Sequence, residues 1–278
     1  MNFDLYCQEK AAAVGTSSYY ALGQAALVDR PTLTALLAFQ RELEDTVEHC
    51  SEVAVGQAKL AWWHNEIAKL AANDAAQPPA HPVMLALSTH WPAVGARVEA
   101  LQAMVEGYQM DLEQARYLDF PGLAAYLDKT RAQAAALIAS ATGVDGAAQQ
   151  AAARLGHALG LAQIVRDVGR HARQGRIYIP VNEMQRFGVT AADVINRRYS
   201  DAFSALMQFQ TERARTGLRD ASAALRPLRR RLRATLEVEA SLALALLDEI
   251  EAERYQILHQ QVSLTPLRMA WLAWRAGR

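Results

Sequence analysis

Apolar residues recur at three- and four-residue spacing along most of the chain, and the strict alternation that marks strands is nearly absent. The pattern predicts an all-α protein. A first helix is expected over residues 5–14, ended near Gly15. Asp29, Arg30 and Pro31 open the next, with Pro31 suited to a first turn. It runs over residues 32–49. Leu33, Leu36, Leu37, Phe39, Leu43 and Val47 form its apolar face, and Gln40, Arg41, Glu44, Asp45 and Glu48 its polar strip. Further helices are expected over 55–71, with Trp62 and Trp63 as core anchors, then over 82–90, 93–116, 120–141 and 147–173. Short segments follow at 182–187 and from Asp193, then long helices over 203–224 and 236–260. The run RPLRRRLR (226–233) reads as a basic loop around Pro227. No repeat or low-complexity linker divides the chain, so residues 1–278 read as one domain.

Composition narrows the function classes. Hydrophobic residues make up 51% of 278, enough for a sizeable core. The formal net charge of +0 argues against whole-protein nucleic-acid binding, which leaves a basic excess. Cys7 and Cys50 make neither a disulfide framework nor a zinc CxxC pair, and a reducing, cytoplasmic compartment is expected. The N-terminus has no secretory pattern, and no apolar run reaches the ~18 residues of a spanning helix. The tail SLTPLRMAWLAWRAGR places Leu267, Trp271 and Trp274 near one face, with Arg268, Arg275 and Arg278 around them. Such a helix either packs on the bundle or lies in a lipid headgroup layer at the inner face of a membrane.

Candidate chemistry gathers in two stretches. In LGLAQIVRDVGRHARQGRIYIP (159–180), Gln163, Asp167 and His171 share a helix face, and Arg166, Arg170 and Arg173 form a stripe beside it. The helical pattern stops near Gly175, and Ile177, Tyr178, Ile179 and Pro180 read as an extended exit. The second stretch holds Glu44 and Glu48, four apart and so on one face, where like charges repel unless a cation lies between them. Two acidic helices facing each other can hold magnesium ions that bridge to a diphosphate, with arginines neutralising the rest. Each stretch taken alone is equally readable as a solvated charged face. A further acidic cluster, Glu106, Asp111 and Glu113, lies on another helix. The remaining histidines are scattered, and no nucleophile elbow or phosphate-binding glycine loop is present.

Taken together these stretches resemble the squalene/phytoene synthase family, most closely its presqualene diphosphate synthase branch. The resemblance rests on YCQEKAA (6–12), AFQRELEDTVEHCS (38–51), AKLAWWHNEI (58–67), MDLEQARYLDF (110–120), RDVGRHARQGRIYIP (166–180) and LLDEIEAERYQILHQQVSLTPLRMAW (246–271). It implies an isoprenoid synthase helical bundle around a central cavity, and head-to-head condensation of farnesyl or related diphosphates with Mg2+. NADPH would be needed only for a reductive second step. By the resemblance, Glu44, Asp45, Glu48, Asp167 and His171 are the metal set. Arg41, Arg166, Arg173, Arg176 and Tyr178 would bind diphosphate, and Tyr126 and Asp167 would be catalytic.

Several positions depart from the family pattern. Glu44 and Glu48 stand for the shorter aspartates of the first motif, and His171 for the last aspartate of the second. Gly160 and Gln163 stand where glutamine and asparagine are usual, Arg131 where alanine is, and Leu242, Ala243 and Leu244 around a missing Tyr-Arg pair. A guanidinium at position 131 must find a carboxylate or turn outward. The family also contains a mitochondrial respiratory complex I assembly factor that has lost the aspartates. A catalytically silent lipid-binding or assembly role is therefore the alternative to prenyl transfer.

Overall fold

A computed structural model describes residues 2–50, 52–72, 74, 76–114, 116–228 and 230–277, with the side chains of 231 and 232 excepted. Among these residues helices carry the architecture and no strand occurs. In chain order they are α1 (Phe3–Ala11), α2 (Ser17–Gly23), α3 (Arg30–His49), α4 (Val53–Ala72), α5 (Pro82–His90), α6 (Val98–Glu113), α7 (Phe120–Leu127), α8 (Gln133–Ala141) and α9 (Ala147–Arg173). There follow α10 (Val181–Arg186), α11 (Ala191–Ile195), α12 (Asp201–Leu225), α13 (Arg230–Ala252) and α14 (Pro266–Ala276). Arg278 of the tail and Arg229 of the basic run lie outside the described residues.

Local chemistry sets the ends. Asp119 caps α7 by accepting from the Gly122 backbone at 3.0 Å, and Thr265 caps α14 at the Arg268 backbone, each with proline in the first turn. α9 stops at Arg173, and Gly175 just beyond it takes a φ of +74° that favours glycine. The long helix α9 is the axis of the bundle: α12, α8 and α13 pack along it, while α3 packs on α1, α5 and α8. Phe39, Leu43, Tyr108 and Phe203 are among the fully or almost fully buried core side chains. Burial of one large apolar side chain contributes ~1.5–3 kcal/mol. A smaller apolar cluster of Ala21, Val238, Leu242, Met269 and Ala273 joins α2, α13 and α14.

Four expectations are corrected. The stretch 120–141 is not one α-helix: a π-helical turn over Asp128–Ala132 separates α7 from α8, and within it the Thr130 hydroxyl donates to the Tyr126 carbonyl at 2.8 Å. The stretch 93–116 begins as a 3₁₀ turn, Val94–Arg97, before α6. The last long helix starts at Arg230, inside the expected basic loop, and stops at Ala252, where Arg254 and Tyr255 take left-handed φ of 51° and 59°. Trp62 is 41% exposed, whereas Trp63 is buried against Phe39.

Candidate active site

The bundle holds a half-open chamber of about 580 Å³. Apolar side chains form part of its wall: Leu37 of α3, Ile138 of α8, Leu159 and Ala162 of α9, Leu242 and Leu246 of α13 and Met269 of α14. One end is polar, where Gln40, Arg41 and Glu44 of α3 meet Arg131 of the π turn and Gln163 and Arg166 of α9. Beyond Arg131 lies a second space of about 40 Å³, lined by Glu48, Tyr108, Asp111, Tyr126, His171 and Tyr178. Arg131 and Glu44 line both spaces.

The two charged stretches face each other here, as expected, and guanidiniums join them. Arg170 of α9 reaches Glu48 of α3 at 2.7 Å and Asp167 at 3.0 Å. Arg41 lies 3.2 Å from Glu44, 3.1 Å from Asp45 and 3.9 Å from Glu48. Lys10 of α1 adds a bond of 2.7 Å to Asp45. Glu44 also accepts from Gln40 at 3.0 Å, from the Tyr108 hydroxyl at 3.1 Å, and from the Arg131 guanidinium. Asp167 is fully buried and accepts two bonds from Arg166, at 2.9 and 2.6 Å, with a further one from Gln261 at 2.8 Å. Burial disfavours its charge, but the hydrogen bonds and charges of Arg166 and Arg170 prevail and hold its pKa well below the usual carboxylate range.

Behind this layer Asp111 of α6 ties down the extended exit of α9. Arg176 donates to its carbonyl at 2.7 Å and to Oδ1 at 3.1 Å, and the Tyr178 hydroxyl donates to Oδ2 at 2.6 Å. The exit runs beside residues 116–118, with a bridge between Arg116 and Ile177 and a bond from the Val181 N–H to the Tyr117 carbonyl. Tyr117, Tyr126 and Tyr178 stack with centroids 5.7 to 6.0 Å apart. Burial raises the Asp111 pKa to about 6 against the opposing pull of Arg176, Tyr178 and Tyr126.

His171 is engaged by its neighbours on both flanks. Its ring packs on Tyr178 at 4.6 Å, and Arg170 donates to Nε2 at 3.2 Å. Burial, and the nearby arginines against the pull of Asp167, lower its pKa to about 3, so the ring is neutral. Glu44, Asp45, Glu48 and Asp167 do not fit magnesium as they stand. The ion needs near-octahedral oxygen at ~2.0–2.1 Å. Here these carboxylates are held by N–H or O–H donors, and among the described residues no group of three or more His, Cys, Asp or Glu is placed to hold a metal. At the expected metal set, the cations against Glu44, Asp45, Glu48 and Asp167 are guanidiniums and the Lys10 ammonium.

Of the expected diphosphate residues, Arg41 and Arg166 line the chamber, while Arg176 and Tyr178 lie behind it on Asp111. Arg173 is exposed on the last turn of α9. The sequence places Arg170 in a charged stripe, and its spacing of three from Asp167 is a local signal for the bond it makes. Tyr108, Gln261 and Glu239 have no such signal. Glu239 of α13 lines the chamber, and burial raises its pKa to about 7, opposed only by Arg131.

A chamber with apolar walls on one side and facing charged helices at the other fits an isoprenoid-type site, and comparison with known proteins gives the family. The sequence profile of the squalene/phytoene synthases matches residues 11–268, and the chain belongs to that family. It is 31% identical over 193 residues to the 15-cis-phytoene synthase of Synechocystis sp., covering 64% of this chain and 57% of that enzyme's length. To the 15-cis-phytoene synthase of Synechococcus elongatus it is 27% identical over 245 residues, covering 84% and 78%. Among solved structures, a dehydrosqualene synthase in complex with ligand superposes with a TM-score of 0.86 at 20% identity, covering 99% of this chain and 95% of that one. A squalene synthase from Alicyclobacillus acidocaldarius gives 0.78 at 19% identity, covering 91% and 94%. The bundle is thus the isoprenoid synthase fold.

Proposed function

We propose that the chain binds a prenyl diphosphate and transfers its prenyl group, the finer reading being head-to-head condensation of two farnesyl or related diphosphates. The observation that carries this is the 580 Å³ chamber, walled in part by apolar side chains and ending on Arg41, Arg131 and Arg166. The prenyl chain lies along Leu159, Leu242 and Leu246, and the diphosphate meets the guanidiniums. Arg166 commits two N–H groups to Asp167, which orients the remaining donors of its fork toward the chamber. As the C–O bond ionises, negative charge grows on the leaving diphosphate, and preorganised N–H donors stabilise it. The apolar part of the wall keeps water from the allylic cation. Tyr126 and Tyr178 offer aromatic faces beside the small space, where a cation is attracted to the ring. Incubation with labelled farnesyl and geranylgeranyl diphosphates, with and without divalent metal and NADPH, should yield prenyl products. Absence of product across chain lengths and metals sinks the transferase reading.

A second reading is favoured by one observation, the ion pair of Arg131 with Glu44 at the polar end. It makes the protein a prenyl-lipid binder without turnover, as in an assembly role. Ligand binding with no product, together with impaired respiratory-complex assembly on gene deletion, would select it.

We further infer peripheral contact with an anionic bilayer. The chamber's lining includes Gly15, Thr16, Leu264 and Met269. Beside them lie Val14, Leu267, Trp271 and Trp274, all at least half exposed. Arg275 sits over the Trp271 ring, an arrangement suited to a headgroup layer. Among the described residues no helix is long and apolar enough to cross a membrane. Trp271→Ser with Trp274→Ser should abolish co-sedimentation with phosphatidylglycerol vesicles. Equal sedimentation of wild type and variant would remove this contact.

A further inference from the structure

Arg131 departs from chance decay in three respects. The π turn places it on the chamber side, where its guanidinium pairs with Glu44. Gly160 of α9 makes room for it: a Cβ there would stand 2.9 Å from Arg131 Cγ and 2.7 Å from Leu127 Cδ2. Gly156, one turn earlier, lets α9 lie against the Arg131 carbonyl, where a Cβ would collide with backbone. The two unusual residues Gly160 and Arg131 are therefore one packing solution. Removing Glu44 would take from the buried Arg131 guanidinium the carboxylate it pairs with, whereas Glu44 without Arg131 keeps Arg41.

We propose that Arg131 is a built-in counter-cation at Glu44, and that this chain binds a prenyl diphosphate through its guanidiniums without a divalent metal. The inference rests on the prenyl diphosphate reading above. A guanidinium carries five N–H donors in a planar fork and matches phosphate oxygens in pairs. Glu44 consumes only part of the Arg131 fork, and Arg41 and Arg166 reach the same end of the chamber. A divalent ion at Glu44 would compete with Arg131, Gln40 and Tyr108 for Oε1, or with Arg41 for Oε2. Competition at Oε1 would take from the buried Arg131 guanidinium its ion pair with Glu44 and leave it the longer-range pull of Glu239.

The test is titration of the full chain with farnesyl thiodiphosphate, in excess chelator and in magnesium, alongside a titration of the ligand-free chain with Mn2+ followed by electron paramagnetic resonance. The wild-type dissociation constant should differ by less than about threefold between the two buffers, and no tightly bound Mn2+ should appear. In Arg131→Ala, Glu44 Oε1 loses its guanidinium while Gln40, Tyr108 and Arg41 remain, so magnesium should tighten binding by about tenfold or more and Mn2+ should become immobilised. Arg131→Lys, which keeps the charge but loses the fork, should remain indifferent to magnesium and bind more weakly. Circular dichroism and melting of each variant establish that it folds. Should Arg131→Ala fail to fold, Arg131→Lys and the wild-type titrations still decide. Wild-type binding that requires magnesium overturns the inference and leaves the prenyl diphosphate reading standing. An Arg131→Ala protein that folds and stays indifferent to magnesium also overturns it. No binding in either buffer overturns both.

Discussion

Asp111 and Asp167 are two buried aspartates a short distance behind the same chamber, and their surroundings drive them in opposite directions. Asp167 receives two bonds from Arg166, one from Arg170 and one from Gln261. Asp111 receives one guanidinium nitrogen and one tyrosine hydroxyl on its carboxylate. The first is held ionised far below its usual range, and the second rises to about 6. Burial is the largest single influence on both, so burial does not separate them. The number of guanidinium charges in reach does. In this site arginine stoichiometry sets how far below neutral pH each carboxylate keeps its charge, the work that a metal ion does elsewhere.

The comparison is broken most forcefully at Asp167. Asp167→Ala leaves Arg166 and Arg170 facing each other without their shared anion. A buried pair that loses one partner costs ~3–5 kcal/mol. Urea unfolding at neutral pH should register a loss of this size. A loss below 1 kcal/mol would mean that Glu48 alone suffices for Arg170 and that Asp167 is not the hub.

Asp111→Asn probes the other carboxylate through pH. In the native chain the carboxyl holds its proton up to about 6, whereas its ordinary value is 3.8. Between those values the unfolded chain has released a proton that the native chain retains. Raising pH across that window therefore lowers stability, and the loss is complete above about 6. At ~1.4 kcal/mol per pH unit, the separation amounts to on the order of 3 kcal/mol. His171 has the opposite slope over the same range, because its folded value of about 3 lies below its ordinary 6.5. Both proteins share His171, so the variant-minus-wild-type difference isolates Asp111. That difference should move in the variant's favour from pH 4 to pH 7, whatever the offset at pH 4. Parallel stability profiles would show that Asp111 does not titrate there. Asp167 acts below this window: its contribution is present above the ordinary 3.8 and is lost as pH falls beneath it.

The helices that carry these residues are legible in the chain, whereas their pairings are not. The apolar stripe of α3 and the long period of α9 announce themselves over five or more turns. The π turn leaves no trace, because residues 120–141 keep a helical apolar pattern across one inserted residue. Trp62 and Trp63 are neighbours on a helix and point about 100° apart, so only one can face the core. A guanidinium at 131 signals that a carboxylate must be near, but acids on three helices compete for it, and only their placement selects Glu44. Asp111 meets Tyr178 across 67 residues, a separation over which no sequence spacing rule operates. The stop of α13 at Ala252 lacks glycine or proline and relies on left-handed Arg254 and Tyr255.

The finest version of the comparison removes one neutral donor from each aspartate. Tyr178→Phe takes away the 2.6 Å hydroxyl from Asp111, and Gln261→Met takes away the 2.8 Å amide from Asp167. A hydrogen bond to a charged group is worth ~1.5–3 kcal/mol, while a typical neutral one contributes ~0.5–1.5 kcal/mol. Equal chemistry would give equal costs. Asp167 keeps three guanidinium bonds after the loss, so Gln261→Met should cost ~1 kcal/mol or less. Asp111 keeps Arg176 on one oxygen and loses the donor on the other, which both costs more and raises its pKa further. Tyr178→Phe should therefore be the more harmful at pH 7, by ~1 kcal/mol or more, and the gap should shrink as pH falls toward 5 and the Asp111 carboxyl becomes neutral. A gap that is absent at pH 7, or that widens on acidification, would mean that the guanidinium count is not what distinguishes the two aspartates.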